Sequence, residues 1–300
     1  MSSPSPSAPS GGLPGILRKV RRAAIFLLVL LGVLYVVISP GVAEHFVFLP
    51  SRQDPGPPPI LAGVEGEDAE ITTSDGVRIH GWWHRVEGDA PAVLFFHGNA
   101  GTIAGRAPLG EAYVRRGVSI LMVDYRGYGR SEGRPTEVGV YRDAEASLQW
   151  LLDRGIPGAR IVVHGRSLGG AVATRLAVGR DDLGGVILES TFTALDEMAA
   201  AAYPFLPSFL FRRLQGHFDS RARVRQLRAP LFVVHGSRDR LVPPEMGREL
   251  YERAPEPREW YEVPGADHNN VFLVGGEAYF DRLAGFVLKV TGPPAREDAS

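Results

Sequence analysis

Two hydrophobic patterns divide this chain of 300 residues. Residues 23–43 form an apolar run without a charged side chain, and about 20 such residues are needed for a helix to cross a membrane. From residue 67 onward, short apolar runs alternate with longer segments of helical period. This alternation is typical of a mostly parallel sheet covered by helices on both faces. We therefore expect an α/β domain preceded by a transmembrane helix.

The short runs predict the strands of the sheet. Two alternating runs flank the turn Ser74-Asp75-Gly76 and predict a hairpin over 69–73 and 77–85. The apolar character of the later runs is typical of strands buried on both faces. These later strands are expected at 92–96, 119–123, 161–164, 185–188, 230–234 and 259–263. Helices are expected at 107–116, 137–154, 168–178, 245–252 and 276–290.

Basic residues before the apolar run predict its orientation. Residues 18–22 hold four basic side chains and no acid, which places the N-terminus in the cytoplasm and the rest of the chain outside by the positive-inside rule. Residues 1–22 are also rich in Ser, Pro and Gly, and we expect a disordered basic tail. An uncleaved signal anchor over 23–43 is favoured by the length of the run. A signal peptide cleaved after Ala43 stays open.

Composition and alternation set the remaining boundaries. Residues 44–66 are rich in proline, which predicts an extended linker. The folded domain is expected over 67–290, followed by a disordered tail over 291–300. Within the domain, residues 191–223 interrupt the alternation. They predict a small helical insertion, here called the cap, over the carboxyl ends of the strands, where such sheets bind ligands.

Composition excludes several classes of function. The formal net charge of −1 provides no basic field for nucleic acid. The absence of cysteine excludes disulfides, thiolate metal sites and a cysteine nucleophile. No His/Asp cluster has the spacing of metal ligands, and no glycine-rich phosphate loop follows a strand. We therefore expect neither a metal nor a cofactor.

The sequence IVVHGRSLGGA at 161–171 places a serine between a strand and a helix. Glycines stand two residues before and two residues after Ser167. Small residues are needed there because the sharp turn strains the backbone of the serine. The pattern is the G-x-S-x-G nucleophile elbow, and it predicts Ser167 as a catalytic nucleophile. The alternative interpretation is a serine that caps a helix.

A serine nucleophile needs a base and an acid that orients the base. Around such an elbow the chain order is Ser, Asp or Glu, then His. His268 stands alone in a loop after the last strand and is predicted as the base. Asp239 follows a strand between the two and is predicted as the acid that holds the imidazole. Asp219 and Asp267 stay open as alternative acids.

The oxyanion of a tetrahedral intermediate needs two preorganised donors. The residue after the nucleophile, Leu168, and the early loop residue Asn99 are predicted to supply them through their backbone N–H groups. Gly98 would let the chain approach the substrate. Tyr203 and Phe205 in the cap are candidates for a wall that binds an acyl chain. The alternative is that they pack down on the domain.

The motifs together resemble the serine α/β-hydrolase superfamily, in particular its membrane-anchored proteins with one N-terminal span. The resemblance covers about residues 67–290. It implies the α/β-hydrolase fold, Ser167, Asp239 and His268 as the triad, and the amides of Asn99 and Leu168 as the oxyanion hole. Arg166 departs from the many relatives that carry His or Gln. The motifs are HGNAG at 97–101, DYRGYGRSEG at 124–133, GRSLGG at 165–170, HGSRDRLVP at 235–243 and GADHN at 265–269.

We predict a serine hydrolase of the cell membrane whose catalytic domain lies on the outer side. It would cleave carboxylic esters or thioesters through an acyl-enzyme. The expected substrate is a small-molecule or lipid-like acyl compound, or an acylated protein. Two alternatives stay open: a peptidase of the same fold, and a catalytically silent binding module anchored in the membrane.

Overall fold

The computed structural model describes residues 18, 20–22, 24, 25, 27, 28 and 47–292. The chain divides into two compact units, Met1–Ala43 and Glu44–Ser300. In the described residues, no helix combines the length and the apolar character that a membrane span requires. Most of the predicted span over 23–43, and most of the predicted tails over 1–22 and 291–300, lie outside the described residues.

One sheet of eight strands forms the centre of the second unit, in the order β10-β9-β8-β7-β4-β6-β3-β2. The six strands from β10 to β6 in this order run parallel, and the hairpin β2–β3 joins them antiparallel to β6. The prediction of a mostly parallel sheet is therefore confirmed. The strands are β2 Gly66–Thr72, β3 Arg78–His84, β4 Ala92–Phe96, β6 Ser119–Asp124, β7 Ile161–Arg166, β8 Gly185–Glu189, β9 Leu231–Gly236 and β10 Arg258–Val263.

Within residues 47–292, seven α-helices accompany the sheet. Apolar side chains on both faces of the sheet are buried: Leu94 and Phe96 of β4 join one apolar layer, and Val93 and Phe95 join the other. Helices α2, α3, α5 and α6 pack on the first layer, and α1 and α7 on the second. They are α1 Ala107–Arg115, α2 Glu137–Leu152, α3 Leu168–Ala177, α4 Leu195–Ala202, α5 Ser220–Val224, α6 Pro244–Arg253 and α7 Val271–Thr291.

Helix α7 starts earlier than the sequence predicts. The predicted start at Gly276 corresponds to a kink inside α7, where this glycine has a φ of 54°. A positive φ is readily adopted by glycine. The five residues from Val271 to Gly275 therefore form a separate helical segment directly after the loop that carries His268.

The cap consists of α4, a 3-10 helix at Ser208–Leu214, and α5. Its last part is fixed to the first turn of α2. The imidazole of His217 lies 2.6 Å from Glu137 Oε2, and the N–H of Phe218 donates to Glu137 Oε1 at 2.7 Å. The cap thus follows β8 and lies at the carboxyl ends of the parallel strands.

Part of the predicted linker is packed on the domain. Phe48 is only 3% exposed and makes an edge contact with Phe218, their ring centroids 6.0 Å apart. Strand β1 (Leu49–Pro50) pairs in parallel with β5 (Ala100–Gly101), and Leu61 is also buried. Proline leaves the carbonyl groups and the apolar neighbours free to make such contacts. The packed domain therefore begins about 20 residues before the expected boundary at 67.

We expect Phe48→Ala to destabilise the domain by about 3–5 kcal/mol, because it removes a buried aromatic ring and leaves a cavity. The measurement is urea unfolding of the detergent-solubilised chain, followed by tryptophan fluorescence. Leu49→Ala is the matched control, since the neighbouring side chain is 55% exposed, and it should change stability by no more than about 0.5 kcal/mol. Equal losses of stability in the two variants would contradict the packing of Phe48 against the domain.

Candidate active site

Ser167 lies in the sharp turn between β7 and α3. Its φ of 54° and ψ of −119° are strained for a residue with a side chain. A Cβ on Gly165 would overlap the carbonyl of Gly169, and a Cβ on Gly169 would overlap the carbonyl of Phe96. These two positions therefore require glycine, as the sequence pattern predicts. The turn presents Ser167 at the carboxyl end of the sheet.

The structure brings Ser167, His268 and Asp239 together. His268 Nε2 lies 3.2 Å from Ser167 Oγ, and His268 Nδ1 lies 2.7 Å from Asp239 Oδ2. Both distances are within the range in which a base contacts a nucleophile and an acid orients the base. Asp239 and His268 are both buried. This is the arrangement of a catalytic triad, assembled from loops after β7, β9 and β10.

The carboxylate of Asp239 is held by its own loop. Its Oδ1 accepts from the N–H groups of Leu241 and Val242 at 3.0 and 2.9 Å. His235 Nε2 lies 3.3 Å from Asp239 Oδ2 and 3.0 Å from the carbonyl oxygen of Val242. Burial raises the pKa of Asp239, but the hydrogen bonds from His235 and His268 outweigh burial and hold that pKa well below its usual range. Asp239 is therefore ionised at neutral pH.

The alternative acids are engaged elsewhere. Asp219 caps α5 by accepting from the N–H of Ala222 at 2.9 Å. Asp267 accepts from the N–H of the next residue, His268, at 2.6 Å. The imidazole of His268 contacts only Asp239 among the described carboxylates. The geometry therefore favours Asp239 over both alternatives.

One predicted oxyanion donor, Leu168, directly follows Ser167, and the other, Asn99, lies in a loop after β4 that approaches this serine. Leu168 starts α3, and no acceptor in the described part of the chain is paired with its N–H or with that of Asn99. A Cβ on Gly98 would lie 3.4 Å from the Cβ of Ser167, so the loop approaches the serine closely. Both N–H groups are thus free to donate to an oxyanion.

Tyr128 and residues of the predicted linker hold the loop at 97–101 that carries Asn99, here called the oxyanion loop. The N–H of Leu49 and the hydroxyl of Tyr128 both donate to the carbonyl oxygen of Asn99, at 3.0 and 2.8 Å. The side-chain amide of Asn99 donates to the carbonyl oxygen of Val47 at 3.1 Å. The carbonyl oxygen of Gly98, in the same peptide group as the Asn99 N–H, lies 2.6 Å from His97 Nδ1. The orientation of that N–H is therefore restrained.

Arg166 supports the loop of the base, a role that the sequence does not indicate. Its Nη2 donates to the carbonyl oxygen of His268 at 2.7 Å, and its Nε lies 3.3 Å from Glu189 Oε1. Glu189 Oε2 lies 3.2 Å from His164 Nε2. Burial raises the pKa of Glu189, but the hydrogen bond from His164 and the charge of Arg166 lower it to about 2. A buried ion pair therefore connects β8 to the His268 loop.

The structure places the proposed substrate wall on the outside of the cap. Tyr203 and Phe205 are both exposed, with ring centroids 6.2 Å apart. They are therefore not packed down on the domain, the alternative considered from the sequence. Within the described residues, no three His, Asp or Glu side chains are grouped so that they could hold a metal ion.

Comparison with protein families and solved structures relates this site to known proteins. Residues 89–224 match the family model described as serine aminopeptidase, S33. The Pyrococcus furiosus esterase Pf2001 superposes with a TM-score of 0.67 at 26% identity, over 81% of this chain and 100% of that one. A puromycin-hydrolyzing peptidase of Mycobacterium tuberculosis superposes with a TM-score of 0.66 over 80% of this chain and 41% of its own. At 20% identity, that likeness shows the fold alone.

Curated relatives match over almost the whole chain. The uncharacterized protein Rv2307c of Mycobacterium tuberculosis is 39% identical over 277 residues, which are 91% of this chain and 96% of the relative. The alpha/beta hydrolase domain-containing protein WAV2 of Arabidopsis thaliana is 33% identical over 286 residues, 88% of this chain and 89% of its own. Together with the fold, these matches show that the chain belongs to the α/β-hydrolase superfamily.

Proposed function

We propose that the protein is a serine hydrolase that cleaves carboxylic esters or thioesters through an acyl-enzyme. The observation that carries this proposal is the unbroken contact from Asp239 through His268 to Ser167. A serine hydroxyl is a weak nucleophile unless such a base removes its proton. The N–H groups of Asn99 and Leu168, for which the described part of the chain offers no acceptor, would supply the second requirement, two donors for an oxyanion.

In the proposed mechanism, Ser167 Oγ attacks the substrate carbonyl while His268 Nε2 takes its proton. Asp239 orients the imidazole and stabilises the positive charge that it acquires. The tetrahedral intermediate collapses as His268 returns the proton to the departing alcohol or thiol, leaving Ser167 acylated. A water molecule then attacks the acyl group, His268 takes the water's proton, and the acid leaves when Ser167 is protonated again. The N–H groups stabilise both oxyanions.

Ester cleavage is supported over peptide cleavage by the likeness to a solved esterase. The esterase Pf2001 is similar in fold and, at 26% identity, in sequence. The family description, by contrast, names an aminopeptidase, and such an enzyme must bind the free ammonium group of its substrate. In the cap, the carboxylate of Glu197 is already paired with Arg221 and the hydroxyl of Thr193. It is therefore engaged and does not offer a free charge to an ammonium group.

We also propose that residues 23–43 anchor the protein in the cell membrane with the N-terminus in the cytoplasm. The support is the uncharged apolar run and the basic cluster before it. The hydrolase domain would then lie on the outer side. Its substrates there would be lipid-like acyl compounds or acylated proteins.

We expect a fluorophosphonate probe to label the purified chain and to leave Ser167→Ala unlabelled, because the probe reacts with an activated serine. Ser237→Ala is the matched control, since that serine also follows a strand of the sheet but lies outside the triad. Labelling that survives in Ser167→Ala, or no labelling of the wild type, would rule out the serine hydrolase.

The second test separates esterase from peptidase. Aminoacyl p-nitrophenyl esters and p-nitroanilides with the same acyl group differ only in the leaving atom. We expect the esters, and p-nitrophenyl esters of fatty acids, to have the higher kcat/KM relative to their uncatalysed rates. A larger rate enhancement on the anilides would identify a peptidase.

We expect Arg166→Gln to lower kcat by about 10- to 100-fold with little change in KM, because His268 loses a support and small displacements of catalytic groups are costly. The substitution also leaves Glu189 buried without its arginine, which destabilises the fold. The double variant Arg166→Gln/Glu189→Gln removes that charge. The double variant should regain stability but not kcat. Recovery of both would show that Arg166 stabilises the fold and does not position His268.

A further inference from the structure

Exposed apolar side chains gather at one end of the domain. The cap follows β8, and further exposed residues follow β9 and β10 or begin α2, which follows β6. Because these strands are parallel, their carboxyl ends share one edge, so these residues surround the loops that carry Ser167 and His268. We call this set the apolar rim. Its members are Leu49, Val138, Tyr203, Phe205, Leu206, Phe209, Leu241, Leu273 and Val274.

The other exposed large apolar residues within 47–292 lie away from this rim. Ile60 follows Pro59, whose carbonyl oxygen contacts His84, and His84 pairs with Ile120 at the start of β6. Leu288 stands in the last turn of α7, and the end of this helix is bound by Arg160 just before β7 begins. The apolar exposure is therefore concentrated at the catalytic end, and a concentration of exposed apolar side chains is a feature of interaction sites.

The start of the packed domain lies at the same rim. Phe48 packs against Phe218 of the cap, and Val47 and Leu49 are bonded to Asn99 of the oxyanion loop. Only residues 44–46 separate the apolar run from Val47. Four Cα steps of 3.8 Å span at most about 15 Å. If a membrane holds residues 23–43 as proposed, chain length alone keeps Val47 within about 15 Å of the end of that run.

We propose that the apolar rim docks on the lipid surface, so that the mouth above Ser167 faces the bilayer. The inference rests on the proposed anchoring and specifies the substrate as an acyl group presented at the membrane surface. Tyr and Phe side chains suit the boundary between headgroups and acyl chains. Phe205, which is 77% exposed, and its neighbour Tyr203 are the central contacts. An ester at this boundary reaches Ser167 without crossing water.

The chain contains no cysteine, so single cysteines can be labelled specifically. Phe205→Cys and the control Leu288→Cys, at the opposite end of the domain, would each carry an NBD fluorophore in the full chain. Both proteins would be reconstituted into vesicles of phosphatidylcholine and phosphatidylglycerol, with and without doxyl-labelled lipid. We expect the emission at position 205 to be blue-shifted and quenched several-fold more strongly by the doxyl groups. The fluorophore at position 288 should show the emission of a probe in water and little quenching.

Two results would overturn the proposal. Equal, weak quenching at both positions would show that the rim stays in water. A blue shift at position 205 without doxyl quenching would show that protein, such as a second copy of the chain, covers the rim. The measurement does not depend on catalysis: quenching at position 205 in a protein that fluorophosphonate does not label would keep the docked rim and reject the hydrolase.

A functional readout uses Phe209→Ser/Leu273→Ser, two rim positions that lie outside the triad and the oxyanion hole. The ratio of hydrolysis of a vesicle-embedded ester to that of a water-soluble ester should fall several-fold. Leu288→Ser is the control and should keep the wild-type ratio. A ratio that is the same in all three proteins would contradict delivery of substrate from the membrane.

Discussion

The strained backbone of Ser167 is the constraint on which the site depends. Its positive φ turns the chain from β7 into α3 within one residue, which exposes the hydroxyl and leaves the N–H of Leu168 free at the start of the helix. Such strain costs about 1–3 kcal/mol and persists only where the surroundings enforce it. Here they do: Gly165 and Gly169 permit an approach of backbone to backbone that any Cβ would block, and the N–H of Ser167 is bonded to the carbonyl oxygen of Glu189 on β8 at 2.8 Å.

Around this turn, each buried charged side chain has hydrogen-bond partners, and these partners hold the loops of the site in place. Asp239 is held by two N–H groups and two imidazoles, so its negative charge stays in the place where the His268 ring needs it. Glu189 and Arg166 hold the same loop from the other side through the carbonyl of His268. A buried charge that lost its partner would be costly. The imidazole is thus positioned both through its ring and through its backbone.

The sequence predicts the sheet well because strands buried on both faces leave near-continuous apolar runs, as at 92–96 and 230–234, that turns and glycines delimit. It predicts the contact of Ser167 with His268 because both residues follow strands. These strands run parallel in one sheet, so the loops after them lie at the same edge. It does not reveal Arg166, since an arginine after a strand resembles many surface arginines until its partners are known. Nor does it reveal the packing of Phe48 and its neighbours, since a proline-rich segment carries no periodicity and its contacts are with residues 52 to 170 positions away.

The packed start of the domain has two features that the sequence does not connect: it contacts the oxyanion loop, and it follows the apolar run closely along the chain. Val47 and Leu49 bind the side chain and the carbonyl oxygen of Asn99, the residue that carries one proposed oxyanion donor. The same residues are the first that follow the apolar run and its three-residue connection. If residues 23–43 anchor the chain in a membrane as proposed, the first described residues after that anchor are also the ones that bind the loop carrying Asn99.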